Sequence, residues 1–199
     1  VIPSAKTGFT TDQGEVQRIR SKIRGDFIVG HIAALDDSHK GLLQIIELAH
    51  MTQETFPEIC FLLVVSGKDM EHFKQLTEDL NNIEFVGQKE NIGDYLAAFD
   101  LFIFPSRHEG LGSILLDAMD FGLPIIASNV GGIPEIIKNK VNGILVDLNS
   151  FDDYYNALKS LFSDTKMRSQ IQQSNIEKGK DFSVKTMTDQ YIKLYNQIL

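Results

Sequence analysis

The sequence has a single cysteine, and that scarcity removes several chemistries at once. Cys60 lies inside the apolar run "ICFLLVV" and reads as a small buried hydrophobe, with no partner for a disulfide and no cluster for a metal. This favours a reducing, cytoplasmic setting. Basic charge is also short: 19 Lys and Arg stand against 27 Asp and Glu, a net charge of −8. There is no electrostatic footprint for nucleic acid, and an anionic ligand must be gripped by local donors. No apolar run approaches the roughly 20 residues that cross a bilayer, and no signal peptide is recognisable. Motifs are missing too. "VGHIAAL" lacks the second and third glycines of a dinucleotide fingerprint, and neither a G-x-x-x-x-G-K-[ST] phosphate loop nor a G-x-S-x-G elbow occurs.

What is present is an ordinary globular composition, 43% hydrophobic and 23% charged over 199 residues, enough for one substantial core. Strand-length apolar runs at 27–33, 60–66, 83–87, 101–106, 124–128 and 143–146 alternate with helical patterns. The runs are apolar on both faces, as in a parallel sheet covered on both sides. They predict a Rossmann-like, doubly wound α/β domain with a six-stranded parallel sheet. From about Ser150 the strands stop and three closing helices follow. One domain over residues 1–199 is expected, with residues 1–10 linker-like. The chain opens on Val1 and "VIPS", which reads as part of something longer.

With the common strand order 3-2-1-4-5-6, strands one and four meet at the topological switch point, where open α/β sheets bind ligands. The loops there are "ALDDSHKG" and "PSRHEGLG". In "EGLGS", Gly110 and Gly112 admit a ligand to the backbone, and the amides of Gly112 and Ser113 open a helix suited to a diphosphate. The plainer alternative is a strand-to-helix turn with Ser113 as N-cap. Asp117, expected on the outward face of an otherwise apolar helix, is placed to accept hydrogen bonds from a ribose diol; a solvated position is the alternative. Glu109 suits sugar hydroxyls or developing positive charge. Lys40 offers a point charge to phosphate, and Gly41 clears space beside it. His39, His108 and Asp120 read as structural or solvated, and no metal site is expected. "NVGGIPEII" reads as a tight turn and a helix start, with ligand contact by the 131–132 amides a lesser option. "VGQKE" ends strand three, where backbone amides meet a flat base.

The stretch "PSRHEGLGSILLDAMDFGLPIIASNVGGIPEIIKNKVNGILV" resembles the donor-binding C-terminal domain of group 1 (family 4) retaining glycosyltransferases of the GT-B fold. Its pattern of two acids eight residues apart, the first in P-S-x-x-E-G-x-G, then G-G-x-P-E and N-G-x-L-V, is specific. "VIPS" and "KG" add weaker matches over about residues 1–160. The resemblance implies a nucleotide-diphosphate sugar as co-substrate, no other cofactor and no metal. It implies Glu109 on the donor sugar and Asp117 on the ribose. Gly110, Leu111, Gly112 and Ser113 would lie along the diphosphate and sugar, with Lys40 neutralising phosphate and Gln88 at the base. Glu109 and Lys40 would be the catalytic pair. The acceptor would bind a missing N-terminal domain, so this chain alone would transfer nothing; membrane association of the intact protein is left open. Two departures stand out. The second acid is Asp117, one methylene shorter than the family's Glu, and Ala34 stands where the family has a phosphate arginine. Such a donor is worth on the order of 3 kcal/mol in the transition state; Arg107 and Lys68 are the candidates to replace it. The alternatives are a GT-B-like nucleotide-sugar epimerase and a non-catalytic sugar-nucleotide module.

Overall fold

The computed structural model describes residues 4–35, 41–67, 69–148 and 150–198. Six strands, β1 (Phe27–Leu35), β2 (Ile59–Gly67), β3 (Ile83–Phe85), β4 (Leu101–Phe104), β5 (Ile125–Ser128) and β6 (Ile144–Val146), form one sheet. All pairings are parallel and the order is β3-β2-β1-β4-β5-β6. Every residue of β4 and β5, and the first seven of β2, are buried, whereas the edge strands β3 and β6 are partly exposed. That is the pattern of a sheet covered on both faces. β4 stops at Phe104 because Pro105 has no N–H to continue the ladder.

The covering helices are α1 (Gln13–Lys22), α2 (Leu42–Thr52), α3 (Met70–Gln75), α4 (Ile92–Ala98), α5 (Ser113–Asp120), α6 (Ile133–Ile136), α7 (Phe151–Ser163), α8 (Thr165–Gly179) and α9 (Val184–Ile198). A 3₁₀ turn, Lys180–Phe182, joins the last two. Alternating strand residues separate two cores, as the period of two requires. Ile28, Phe102 and Phe104 face a core shared with α1, α4, α5 and α6. Val29, Leu101 and Ile103 face one shared with α2 and α7. Among the described residues, no helix is long and apolar enough to cross a membrane.

The sequence pattern misses α1. Only Val16 and Ile19 of this helix are buried, too few for a visible apolar stripe, and its start is set by Asp12, whose side chain accepts from Gly14 N–H at 2.8 Å. The helix α3 is short: it ends at Gln75, and the Thr77 hydroxyl turns back onto Phe73 O at 3.2 Å.

Candidate functional site

The strand order reverses between β1 and β4, which pair through Val29 with Leu101 and Gly30 with Phe102. Their carboxyl-end loops therefore flank the crevice where α/β sheets take ligands. The loops also touch. Gly41, at φ 68, opens α2 so close to β4 that a Cβ there would lie 1.9 Å from Pro105 O. Only glycine tolerates both the left-handed backbone and that approach. With its amide turned to satisfy both neighbours, Gln44 donates to Gly41 O at 2.8 Å and accepts from Arg107 Nη2 at 3.3 Å. Arg107 thus belongs to the seam between the two loops.

The loop after β4 is built by its own residues. Ser106 is buried, and its hydroxyl donates to His108 O at 3.2 Å and lies 3.5 Å from Glu109 Oε2. Glu109 and Leu111 are half-buried and Gly110 is exposed. Gly112, at φ 71, holds the cap position of α5, and Leu115 N–H donates to its carbonyl at 2.8 Å. Ser113 is therefore the exposed first residue of the helix and not its N-cap. A glycine cap puts no side-chain acceptor on the first-turn N–H groups, which point at the crevice.

"NVGGIPE" is explained by its contacts. A Cβ on Gly131 would lie 1.9 Å from Glu109 O, and one on Gly132 would lie 2.0 Å from Gly110 O. Gly132 N–H also donates to Glu109 O at 3.4 Å. The glycine pair braces the Glu109 loop from the β5 side.

Asp117 departs from its expected outward position: it is only 3% exposed. The segment preceding α1 covers it, with Thr7 N–H donating to Oδ1 at 2.6 Å and the Thr7 hydroxyl to Oδ2 at 3.0 Å. Burial pushes the Asp117 carboxyl above its usual range, the two Thr7 hydrogen bonds pull it down, Asp120 raises it further and Lys6 lowers it. Asp120 is not simply solvated; it pairs with Lys6. Thr7 is the site residue that sequence reasoning does not find, since its partner is 110 positions away.

Gln88 follows β3 and Gly87 and is exposed, on the same end of the sheet but two strands over from β1. Ala34 pairs with Ser66 near the carboxyl end of β1. Lys40, His39 and Lys68 lie outside the described residues. Among the described residues, no group of three or more His, Cys, Asp or Glu is placed to hold a metal ion.

Comparison with known proteins adds to this geometry. The family model for glycosyl transferases group 1 matches residues 4–178. The UDP-Gal:alpha-D-GlcNAc-diphosphoundecaprenol alpha-1,3-galactosyltransferase of Escherichia coli is 34% identical over 112 residues, 54% of this chain and 29% of that protein. The C-terminal domain of the group 1 glycosyl transferase LpcC from Francisella tularensis superposes with a TM-score of 0.77 at 28% identity, covering 88% of this chain and 96% of that one. Anabaena HepE in complex with UDP-glucose gives 0.82 at 24% identity, covering 94% of this chain and 54% of that one. The chain spans less than half the length of the curated relatives it matches, 46% and 42% for two of them. The chain belongs to the group 1 glycosyltransferase family.

Proposed function

We propose that this group 1 family member binds a nucleoside-diphosphate sugar at the carboxyl ends of β1 and β4. Transfer would be retaining and metal-independent, to an acceptor held by a part of the protein beyond these residues. The observation that carries the reading is the left-handed turn at Gly112, which opens α5 at the switch point between Glu109 and Asp117. The first N–H groups of α5 and its dipole suit a diphosphate. Glu109 takes hydroxyls of the donor sugar, Asp117 those of the ribose, and Gly110, Leu111 and Ser113 line the path between them. Lys40 neutralises phosphate, with Arg107 supplying the cation that Ala34 lacks. Gln88 meets the base through its backbone.

In the reaction, the bond from the anomeric carbon to the diphosphate oxygen breaks and its electron pair leaves on the diphosphate. The acceptor oxygen bonds to that carbon on the same face, and its proton passes to the leaving diphosphate. Stabilising that charge is the main task of the site. Two names support a uridine donor: the Escherichia coli relative is named for UDP-Gal, and HepE was solved with UDP-glucose. The diphosphoundecaprenol in the first name also supports a role in cell-surface polysaccharide synthesis, and a cytoplasmic location is part of the proposal.

The test is thermal unfolding with millimolar UDP, GDP and ADP, repeated on Lys40→Ala. Ligand at ten times its dissociation constant adds about 1.4 kcal/mol, a rise of roughly 3–6 °C at this size. One diphosphate is expected to give that rise, and Lys40→Ala to reduce it. No rise with any of them at saturating concentration refutes the donor site.

A further inference from the structure

The carboxylate of Asp117 is held at both oxygens by one residue. Thr7 gives its N–H to Oδ1 at 2.6 Å and its hydroxyl to Oδ2 at 3.0 Å, which fixes both the position and the rotation of the group. A carboxylate offers about four lone-pair sites, so this clamp leaves two for a ligand. Thr7 is itself pinned from both directions. Lys6 N–H donates to Phe182 O at 2.8 Å, and the Lys6 ammonium pairs with Asp120. Downstream, Phe9 packs against the core and Asp12 N–H donates to Asp94 Oδ1 at 2.7 Å. Residues 6–12 are thus strapped to the 3₁₀ turn, α5 and α4 in succession, with Thr7 lying on the Asp117 carboxylate.

We propose that Thr7 is a positioning residue for the nucleotide: it sets the direction in which Asp117 presents its remaining lone pairs to the ribose diol. The strap ahead of α1 is then part of the donor site, and donor affinity depends on how that strap is seated. A short aspartate on a buried helix face has little freedom to search for a diol, and a clamp at both oxygens replaces that freedom with a fixed aim. This inference rests on the assignment of Asp117 to the ribose.

The experiment compares UDP, GDP and ADP, each with its 2′,3′-dideoxy counterpart, by calorimetric titration of the intact protein. It is run on the parent, Asp117→Asn, Thr7→Val and Thr7→Ser. The parent should prefer the diol-bearing member of one pair. Asp117→Asn should lose that preference, and Thr7→Val should weaken the diol-bearing nucleotide by about three- to tenfold, the effect of one hydrogen bond. The dideoxy counterpart should bind Thr7→Val as it binds the parent, and Thr7→Ser, which keeps the hydroxyl, should restore the preference. A parent with no preference in any pair, or one that Asp117→Asn leaves intact, overturns the ribose assignment and this inference with it. A preference lost in Asp117→Asn but kept in Thr7→Val overturns the role of Thr7 alone. Equal weakening of both members by Thr7→Val also overturns it, since a merely structural residue would act on both.

Discussion

Replacing Asp117 by alanine and by asparagine separates the folding role of this side chain from its binding role. Alanine removes both acceptors of Thr7, an exposed residue, and with them two hydrogen bonds. Each lost hydrogen bond costs about 1 kcal/mol, because the freed Thr7 groups reach water. A net loss of about 2 kcal/mol corresponds to roughly 4–8 °C in Tm for a domain of this size. Asparagine behaves differently. Its carbonyl accepts from Thr7 N–H and its amide donates to the Thr7 hydroxyl, so both contacts survive without a buried charge. Asp117 is raised above its ordinary pKa mainly by burial, so its ionised form costs the folded state stability at neutral pH. The sign follows: between the ordinary value of 3.8 and the raised value, the folded state binds a proton that the unfolded state does not. Parent stability relative to Asp117→Asn therefore improves as pH falls through that window. Asp117→Asn should match or exceed the parent in Tm at pH 7, with its margin shrinking toward pH 4. Its nucleoside diphosphate affinity should nevertheless fall about 10- to 100-fold, the loss of a charge-assisted hydrogen bond. Differential scanning calorimetry from pH 4 to 8 and titration calorimetry at pH 7 measure the two halves. Parent-like affinity in Asp117→Asn, or a parent-like Tm in Asp117→Ala, would refute the reasoning for the corresponding half.

Other substitutions follow from the same contacts. Gly131→Ala adds a Cβ at φ 53 and 1.9 Å from Glu109 O, so it should cost about 2–4 kcal/mol in urea denaturation and weaken nucleotide binding. A parent-like midpoint would mean that the Glu109 loop is not braced from β5. Lys6→Ala removes an ion pair whose side chains are 22% and 32% exposed, and should cost less than about 1 kcal/mol, a loss that fades in 1 M salt. Asp94→Ala deprives Asp12 N–H and the Asn91 amide of an acceptor at 2.7 and 2.8 Å. It should cost about 1–3 kcal/mol and speed hydrogen exchange in α1 before it does so in the sheet.

The sheet was legible because its signal is local. Runs such as "CFLLVVS" and "LFIFPS" are apolar at consecutive positions, and only a strand covered on both faces makes use of that. The assumed order, which put β1 beside β4, is the order observed, and the contact of Gly41 with Pro105 shows how near the two loops lie. The orientation of Asp117 was not legible. Ile114, Leu115, Leu116, Ala118 and Met119 surround it with no clean polar face, so helical periodicity gives no reason to expect this carboxylate inside. What turns it inward is a threonine from the other end of the chain, and no local pattern carries a contact of that separation. The helix α1 escaped for a related reason: its stability lies in a cap and two buried side chains, not in a stripe.

These contacts divide the site into two parts of unequal rigidity. Around residues 105–112, three glycines from two neighbouring loops, Gly41, Gly131 and Gly132, press backbone against backbone, and none has a side chain that can swing aside. The proposed anion end is therefore set by the fold itself. In the proposed reading the ribose end is set by the Asp117 carboxylate held under a strap, and a strap with partly exposed anchors such as Lys6 and Asp120 can be displaced at far less cost than a sheet loop. The net charge of −8 sharpens the contrast. A protein of that sign does not draw a diphosphate in by its general field, and beyond a Debye length of about 8 Å the field is screened in any case. Affinity then has to come from donors in contact with the ligand, in the proposed reading first the amides of the Gly112 turn. On the proposed reading, discrimination between nucleotides with and without a diol falls to Asp117 and depends on how the strap is seated.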